Sequence, residues 1–336
     1  MGHINIPIFI PHLGCPNQCI FCNQRHISGT ICFNENGVEA QIQDVLKTSN
    51  DNEVEIAFFG GSFTGIDRNL MLKLLNIAQK YVDMGKVNAI RMSTRPDYID
   101  EEIVDILKNY TISYIELGIQ SMNDGILTYL KRGHTSKQTE NAISLLKKHN
   151  LKFIGQMMIG LPGATVNDEI ECARYICESG ASGARIYPTL VFKQTELETL
   201  TLEKKYIPLS LEEAVFRSAQ VLSIFVEHEV PCIRIGLCES ENLHSDATFV
   251  AGPNHPSIGE MVKSELYFNI ICSMVDTQKL AKNILIRCPK GATSQIIGNK
   301  KTNIFRLKSK YGFEQIVVKE DVQFKSYDIK ITNKED

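Results

Sequence analysis

The sequence predicts an α/β fold, a partial (βα)6 barrel followed by a small α+β appendage. Three observations predict it. Short apolar strand patterns and amphipathic helix patterns alternate six times before residue 190. Such alternation implies parallel strands joined by right-handed crossovers. The residues of unusual chemistry stand just after the strand patterns, where α/β barrels and open sheets gather their sites. Beyond Pro188 the alternation stops and a different, partly basic pattern takes over. Six units suggest a partial barrel; a doubly wound open sheet is the alternative.

Each element has its own justification. Residues 4–10 form an apolar run that reads as the first strand, and residues 37–47 show helical spacing through Val38, Ile42, Val45 and Leu46. Residues 54–59 read as a buried strand ending in Gly60-Gly61. Asp67 can cap the next helix, whose apolar face is Leu70, Leu74, Leu75 and Ala78. Strand 89–93, helix 100–107 and strand 112–119 follow, then a helix near 124–130. Thr135 and Gln138 have the spacing of a capping box opening a helix over 140–149. Strand 153–159, a helix from Thr165 through Cys177, and strand 183–187 complete the six units.

After Pro188, residues 189–209 read as a long connection without periodicity, and loops of that length are often functional. Ser210 and Glu213 have capping-box spacing before a helix through Val226; residues 231–235 read as a short strand and 258–274 as a helix. The tail reads as strand 284–287, a basic helix or loop near 300–310, and strands 314–318 and 327–331. The expected organisation is therefore a core over residues 1–190, an extension over 191–275 that completes the substrate side, and a small basic appendage over 276–336.

Bulk properties narrow the class. A chain of 336 residues, 43% apolar and 22% charged, can bury a large core. No stretch approaches the about 20 consecutive apolar residues of a membrane helix. The N-terminus lacks a secretory leader pattern, so a cytoplasmic protein without membrane contact is expected. Ten cysteines then argue for a reducing compartment, not a disulfide framework. Seven of them (Cys32, Cys172, Cys177, Cys232, Cys238, Cys272 and Cys288) are scattered and read mostly as small buried hydrophobes. Net charge is −3, but residues 280–336 hold twelve Lys/Arg against six Asp/Glu. A basic tail on an acidic body can mark contact with a polyanion, or a merely solvated surface.

The chemistry concentrates in residues 11–24, which hold Cys15, Cys19 and Cys22 in a C-x3-C-x2-C spacing. Three thiolates on one loop can bind a soft metal centre. They fill neither a four-ligand structural zinc site nor the four-cysteine ligation usual for an iron–sulfur cluster. One coordination position is left for another group. A zinc knuckle with His26 as fourth ligand is the alternative. One βα unit later comes Phe58-Phe-Gly-Gly-Ser-Phe-Thr-Gly65, whose paired glycines let backbone approach a ligand closely.

The cysteine loop resembles the signature loop of the radical S-adenosylmethionine (SAM) enzymes. By that resemblance the three cysteines hold a 4Fe–4S cluster whose fourth iron chelates SAM, Phe21 packs near the adenine, and a 5′-deoxyadenosyl radical is the product of SAM cleavage. Gly60 and Gly61 match that superfamily's Gly-Gly-Glu turn against the methionyl amino group, with Ser62 where glutamate is usual. The contact is a main-chain one, so the change is expected to be tolerated. Ser93-Thr-Arg-Pro-Asp97, Glu116-Leu-Gly-Ile-Gln-Ser121, Arg132-Gly-His134, the 156–163 stretch and the 185–191 stretch tighten the match. Together they are similar to the radical SAM domain of the Elongator catalytic subunit and its bacterial relatives, and more loosely to the oxygen-independent coproporphyrinogen III oxidases, over roughly residues 5–265.

The resemblance implies further roles. Ser93, Gln120 and Gln156 would line the ribose and methionine side of SAM. Arg132 would pair with the SAM carboxylate, a task suited to its planar fork. Arg185 and Tyr187 would face substrate, and His134 and His255 are expected to be structural hydrogen-bonding residues. A tRNA base is the first expectation for substrate, with a flavodoxin or ferredoxin as electron donor; a small porphyrinogen-like carboxylate and a non-catalytic zinc- or RNA-binding module are the alternatives. Two departures limit the likeness: Elongator's catalytic subunit has a much longer gap between its first two cysteines, and it continues into an acetyltransferase domain where this chain ends at Asp336. The radical half of that activity is expected to carry over, not the acetyl-CoA-dependent half.

Overall fold

The computed structural model describes residues 3–16, 19–28, 30, 32–49, 53–237, 245 and 247–334; Cys238 lies outside them. The elements run β1 (His3–Phe9), α1 (Gln24–Ser28), α2 (Val38–Leu46), β2 (Glu53–Phe59), α3 (Arg68–Asp83), β3 (Ala89–Thr94), α4 (Glu101–Leu107), β4 (Ile112–Gln120) and α5 (Asp124–Tyr129). They continue with α6 (Ser136–Lys148), β5 (Phe153–Ile159), α7 (Val166–Glu178), β6 (Gly183–Pro188), β7 (Val191–Phe192), α8 (Glu196–Leu202), α9 (Leu211–Glu227), β8 (Cys232–Ile235) and β9 (Phe249–Ala251). The C-terminal part holds α10 (Ile258–Asp276), β10 (Asn283–Cys288), α11 (Thr293–Ile297), α12 (Thr302–Tyr311), β11 (Gln315–Glu320) and β12 (Lys330–Asn333).

Seven strands, in the order β1-β2-β3-β4-β5-β6-β8, pair in parallel and curl into a half-barrel. Apolar residues fill the helix-covered face: Ile6, Ile8, Ile56, Phe58, Ile90 and Met92 are buried along the first three strands, and Leu74, Leu75 and Ala78 pack against them from α3. The helix starts follow the caps legible in sequence. The Asp67 carboxylate accepts the Leu70 N–H at 3.0 Å and Asp100 the Ile103 N–H at 2.8 Å. Capping boxes form at Thr135/Gln138 and Thr165/Asp168. Each such cap contributes about 1 kcal/mol.

The expected half-barrel is present, and the strand expected over 231–235 joins it as β8, paired with β6 beyond the six βα units. Two expectations need correction. Residues 189–209 are not a structureless connection: β7 pairs antiparallel with β9, and α8 follows. That helix is seven residues long, too short for periodicity to show, but Thr195 caps its start. Thr195 Oγ1 accepts the Glu198 N–H, and Glu198 accepts the Gln194 N–H at 2.8 Å. The last strand begins at Lys330, not at Tyr327, because Tyr327 sits at φ 68°, outside the extended region.

A second core lies under the three-stranded sheet β11-β10-β12. Tyr267, Ile271 and Val275 from α10 meet Ile284, Ile286, Leu307 and Ile331 there. All nine described cysteines are free thiols, with Cys172, Cys177, Cys272 and Cys288 buried, Cys232 half-buried and Cys32 exposed. Among the described residues, no helix is long and apolar enough to cross a membrane.

Candidate active site

The cysteine loop leaves β1 and returns beside its own start. His12, in the left-handed region at φ 59°, accepts the Gln24 N–H on Nε2 at 2.9 Å, which closes residues 12–24 into a ring. That bond needs a neutral imidazole, and burial together with the Arg25 charge lowers the His12 pKa. The Gly60-Gly61 turn is the seat for this loop. His12 N–H donates to Gly60 O at 3.0 Å, and Ser62 N–H to Leu13 O at 3.0 Å. A Cβ on Gly61 would stand 2.4 Å from Leu13 O, and one on Gly14 would stand 2.1 Å from Ser62 O. The close approach these glycines permit is thus, first, backbone to backbone. Ser62 is fully buried and bonds Thr94 Oγ1 at 2.9 Å, tying the turn to the end of β3.

The far side of the loop is pinned to α5 and α8. Ile20 N–H donates to Leu130 O at 3.2 Å, and Leu197 N–H to Ile20 O at 2.8 Å. Phe21 packs on the apolar cluster formed by Ile20, Leu130, Val191 and Leu197. Helix α8, missed in sequence, therefore helps to hold the cysteines.

Cys15, Cys19, Cys22, Phe21, Gly60, Gly61, Ser93, Gln120, Arg132, Gln156, Arg185 and Tyr187 all line one cavity, of about 260 Å³, at the carboxyl ends of the strands. Burial, reinforced by the neighbouring Cys19 and Cys15, pushes the Cys22 thiol up to about 12, and burial raises Cys15 against the pull of Arg132 and Arg95. Metal binding must therefore displace protons. Arg132 donates from Nη2 to Gly118 O at 2.9 Å, and its Nη1 lies 3.6 Å from the Cys19 sulfur. Gly118 makes room for this: a Cβ there would meet Arg132 Nη2 at 2.5 Å. Gln120 adopts φ 66°, a strained conformation for a non-glycine residue, at an irregularity in the β4–β5 register.

The donor chemistry fits an iron–sulfur cluster with a charged ligand beside it. Arg132 Nε and Arg95 Nη1 are buried and have no hydrogen-bond partner among the described residues. Both arginines line the same cavity as the three thiols, where they can balance thiolate and carboxylate charge. The zinc alternative has less behind it. His26 does not line the cavity that the three cysteines share.

Sequence reading missed a buried ladder of charge below the cavity. Glu116 is fully buried on β4. It accepts Gln156 Nε2 at 2.7 Å and Arg185 Nη2 at 2.7 Å. Arg91 Nη2 lies 2.9 Å away, off-line for a hydrogen bond, so this is a charge contact. Arg91 reaches Glu55 at 3.2 Å, and Glu55 meets His3 at 3.0 Å. At the other end Arg185 Nη1 donates to the Tyr187 hydroxyl at 3.1 Å. Gln156 and Arg185 are thereby oriented from below. The available signal was a lone charged residue in each of several otherwise apolar strands.

His255 is hydrogen-bonded, accepting the Ser257 N–H at 3.0 Å. His134 differs from expectation. It is buried beside Arg132 with neither ring nitrogen in a well-formed hydrogen bond, leaving a weak approach to the Ile119 backbone.

Residues 9–176 match the Radical SAM superfamily, and residues 181–267 match the Radical_SAM C-terminal domain. An uncharacterized protein of Methanocaldococcus jannaschii is 29% identical over 243 residues, covering 68% of this chain and 73% of its own. The tRNA uridine(34) acetyltransferase of the same organism is 30% identical over 198 residues, covering 53% of this chain but 37% of its own. Among solved structures, an N-terminally truncated archaeal Elp3 from Methanocaldococcus infernus superposes with a TM-score of 0.61 at 22% identity. That match covers 79% of this chain and 62% of Elp3 and is a likeness of fold.

Proposed function

The chain belongs to the radical SAM superfamily, and from that premise we propose that it modifies RNA, abstracting a hydrogen from a tRNA base held at the mouth of the half-barrel. The superfamily's cofactors are a 4Fe–4S cluster and SAM, and the protein is an enzyme of that class. When bound and reduced, this pair supplies a 5′-deoxyadenosyl radical, and the protein supplies binding and orientation.

In this reading Cys15, Cys19 and Cys22 would hold the cluster. Arg132, whose buried Nε has no partner among the described residues, would pair with the SAM carboxylate, and Phe21 would pack near the adenine. Gly60 and Gly61 would offer backbone to the amino group. Ser93, Gln120 and Gln156 line the ribose and methionine side; the Gln156 amide, anchored on Glu116 through Nε2, keeps its carbonyl oxygen as an acceptor. Arg185 and Tyr187 face substrate. Residues 191–275 complete that side, supported by Phe192 and Leu237 in the cavity wall, and a flavodoxin or ferredoxin supplies electrons. The observation that carries the reading is the single cavity joining three thiols to two arginines with unpartnered N–H groups.

Two observations favour RNA over a small carboxylate. A relative of this chain is a tRNA uridine(34) acetyltransferase. Arg185, one of the arginines that would read carboxylates in the alternative, is already paired with Glu116 at 2.7 Å. The test is 5′-deoxyadenosine formation by reconstituted protein with intact tRNA, nuclease-treated tRNA or porphyrinogen. Stimulation by intact tRNA alone is expected. Stimulation by porphyrinogen and not by tRNA would overturn the reading.

A further inference from the structure

The outer face of the appendage sheet carries an arrangement that folding alone disfavours. Arg287 on β10 stands in register with Lys319 on β11 and, across its other edge, with Lys330 on β12. Alternation along β10 buries Ile284, Ile286 and Cys288 and so turns Arg287 outward. All three cations are exposed, and like charges directly opposite on neighbouring strands repel. An ion pair from Arg287 to Asp321 at 3.5 Å relieves one of them in part.

Beside the cations lies a neutral row. Leu285 aligns with Val317 and with Thr332, and half-buried Phe324 joins them along the same groove. Cations take phosphates, and an aromatic face takes a base. An acidic protein surface would use the cations but not the ring. We infer that this sheet face docks a single-stranded or looped segment of RNA, away from the barrel mouth. The inference rests on the proposed RNA substrate for the identity of the partner.

The full chain, a fluorescent tRNA transcript and fluorescent polyglutamate provide the test, with anisotropy read at several salt concentrations. Combining Arg287→Gln, Lys319→Gln and Lys330→Gln is expected to weaken tRNA binding at least tenfold and to lower the salt slope of log K by about 2. Phe324→Ala is expected to weaken it about fivefold or more with the slope unchanged. The triple variant should melt no lower than wild type and form 5′-deoxyadenosine without RNA at the wild-type rate. Unchanged tRNA affinity and slope in a folded triple variant would overturn the inference. So would polyglutamate bound as tightly as tRNA and indifferent to Phe324→Ala. If tRNA drives turnover yet the triple variant binds it normally, docking fails and the substrate reading stands. If the triple variant loses tRNA but tRNA never drives turnover, the substrate reading fails and docking stands.

Discussion

Arg132 lies against Cys19, its Nη1 3.6 Å from the sulfur across 113 positions of sequence. One guanidinium thereby touches a thiol of the cysteine loop while leaving Nε for a ligand. Arg132→Lys keeps the charge but loses the fork. Hydrogen bonds to charged groups are worth about 1.5–3 kcal/mol, so SAM affinity is expected to fall at least tenfold at unchanged iron content. Titration of the iron-loaded protein with SAM measures it.

Gly118→Ala tests the same placement from below. The new methyl would stand 2.5 Å from Arg132 Nη2 and 3.0 Å from Gln120 Nε2. SAM affinity is expected to drop, and combining it with Arg132→Lys should add little, since both act on one contact. Full additivity would contradict that coupling.

The buried ladder makes a stability prediction. Removing one partner of a buried ion pair costs about 3–5 kcal/mol, so Glu116→Ala should destabilise the metal-free protein by that order in urea unfolding. Adding Arg185→Met should restore part of the loss, because it removes a cation left stranded.

His134 supplies a pH dependence. Burial, aided by Arg132 and Arg95 and opposed by Asp97, pushes its pKa down to about 3. Near pH 7 the ring is neutral in both states. As pH falls through the unfolded value of about 6.5, the unfolded chain takes a proton that the folded protein refuses. Stability should fall by about 1.4 kcal/mol per pH unit between there and pH 3. His134→Asn should lessen the fall in melting temperature of metal-free protein between pH 7 and pH 5.

Much of this was legible in residues alone. Asp67, Thr135, Thr165 and Ser210 mark helix starts through local chemistry, and the cysteine spacing marks the site without reference to anything distant. What stayed hidden depends on contacts far apart in sequence. Glu55, Arg91, Glu116 and Arg185 look like isolated charges along four strands until parallel register stacks them. Gly61 reads as a ligand-facing glycine, yet its tightest neighbour is the Leu13 carbonyl. Helix α8 is too brief for periodicity, and its role in pinning Ile20 appears only in the fold.

The most direct measurement is iron content together with SAM cleavage in oxygen-free protein, wild type against Cys19→Ala. The account predicts about four irons per wild-type chain, 5′-deoxyadenosine formed with dithionite, and loss of both in the variant. Wild-type protein that takes up no iron, or a variant that cleaves SAM at the wild-type rate, would contradict it.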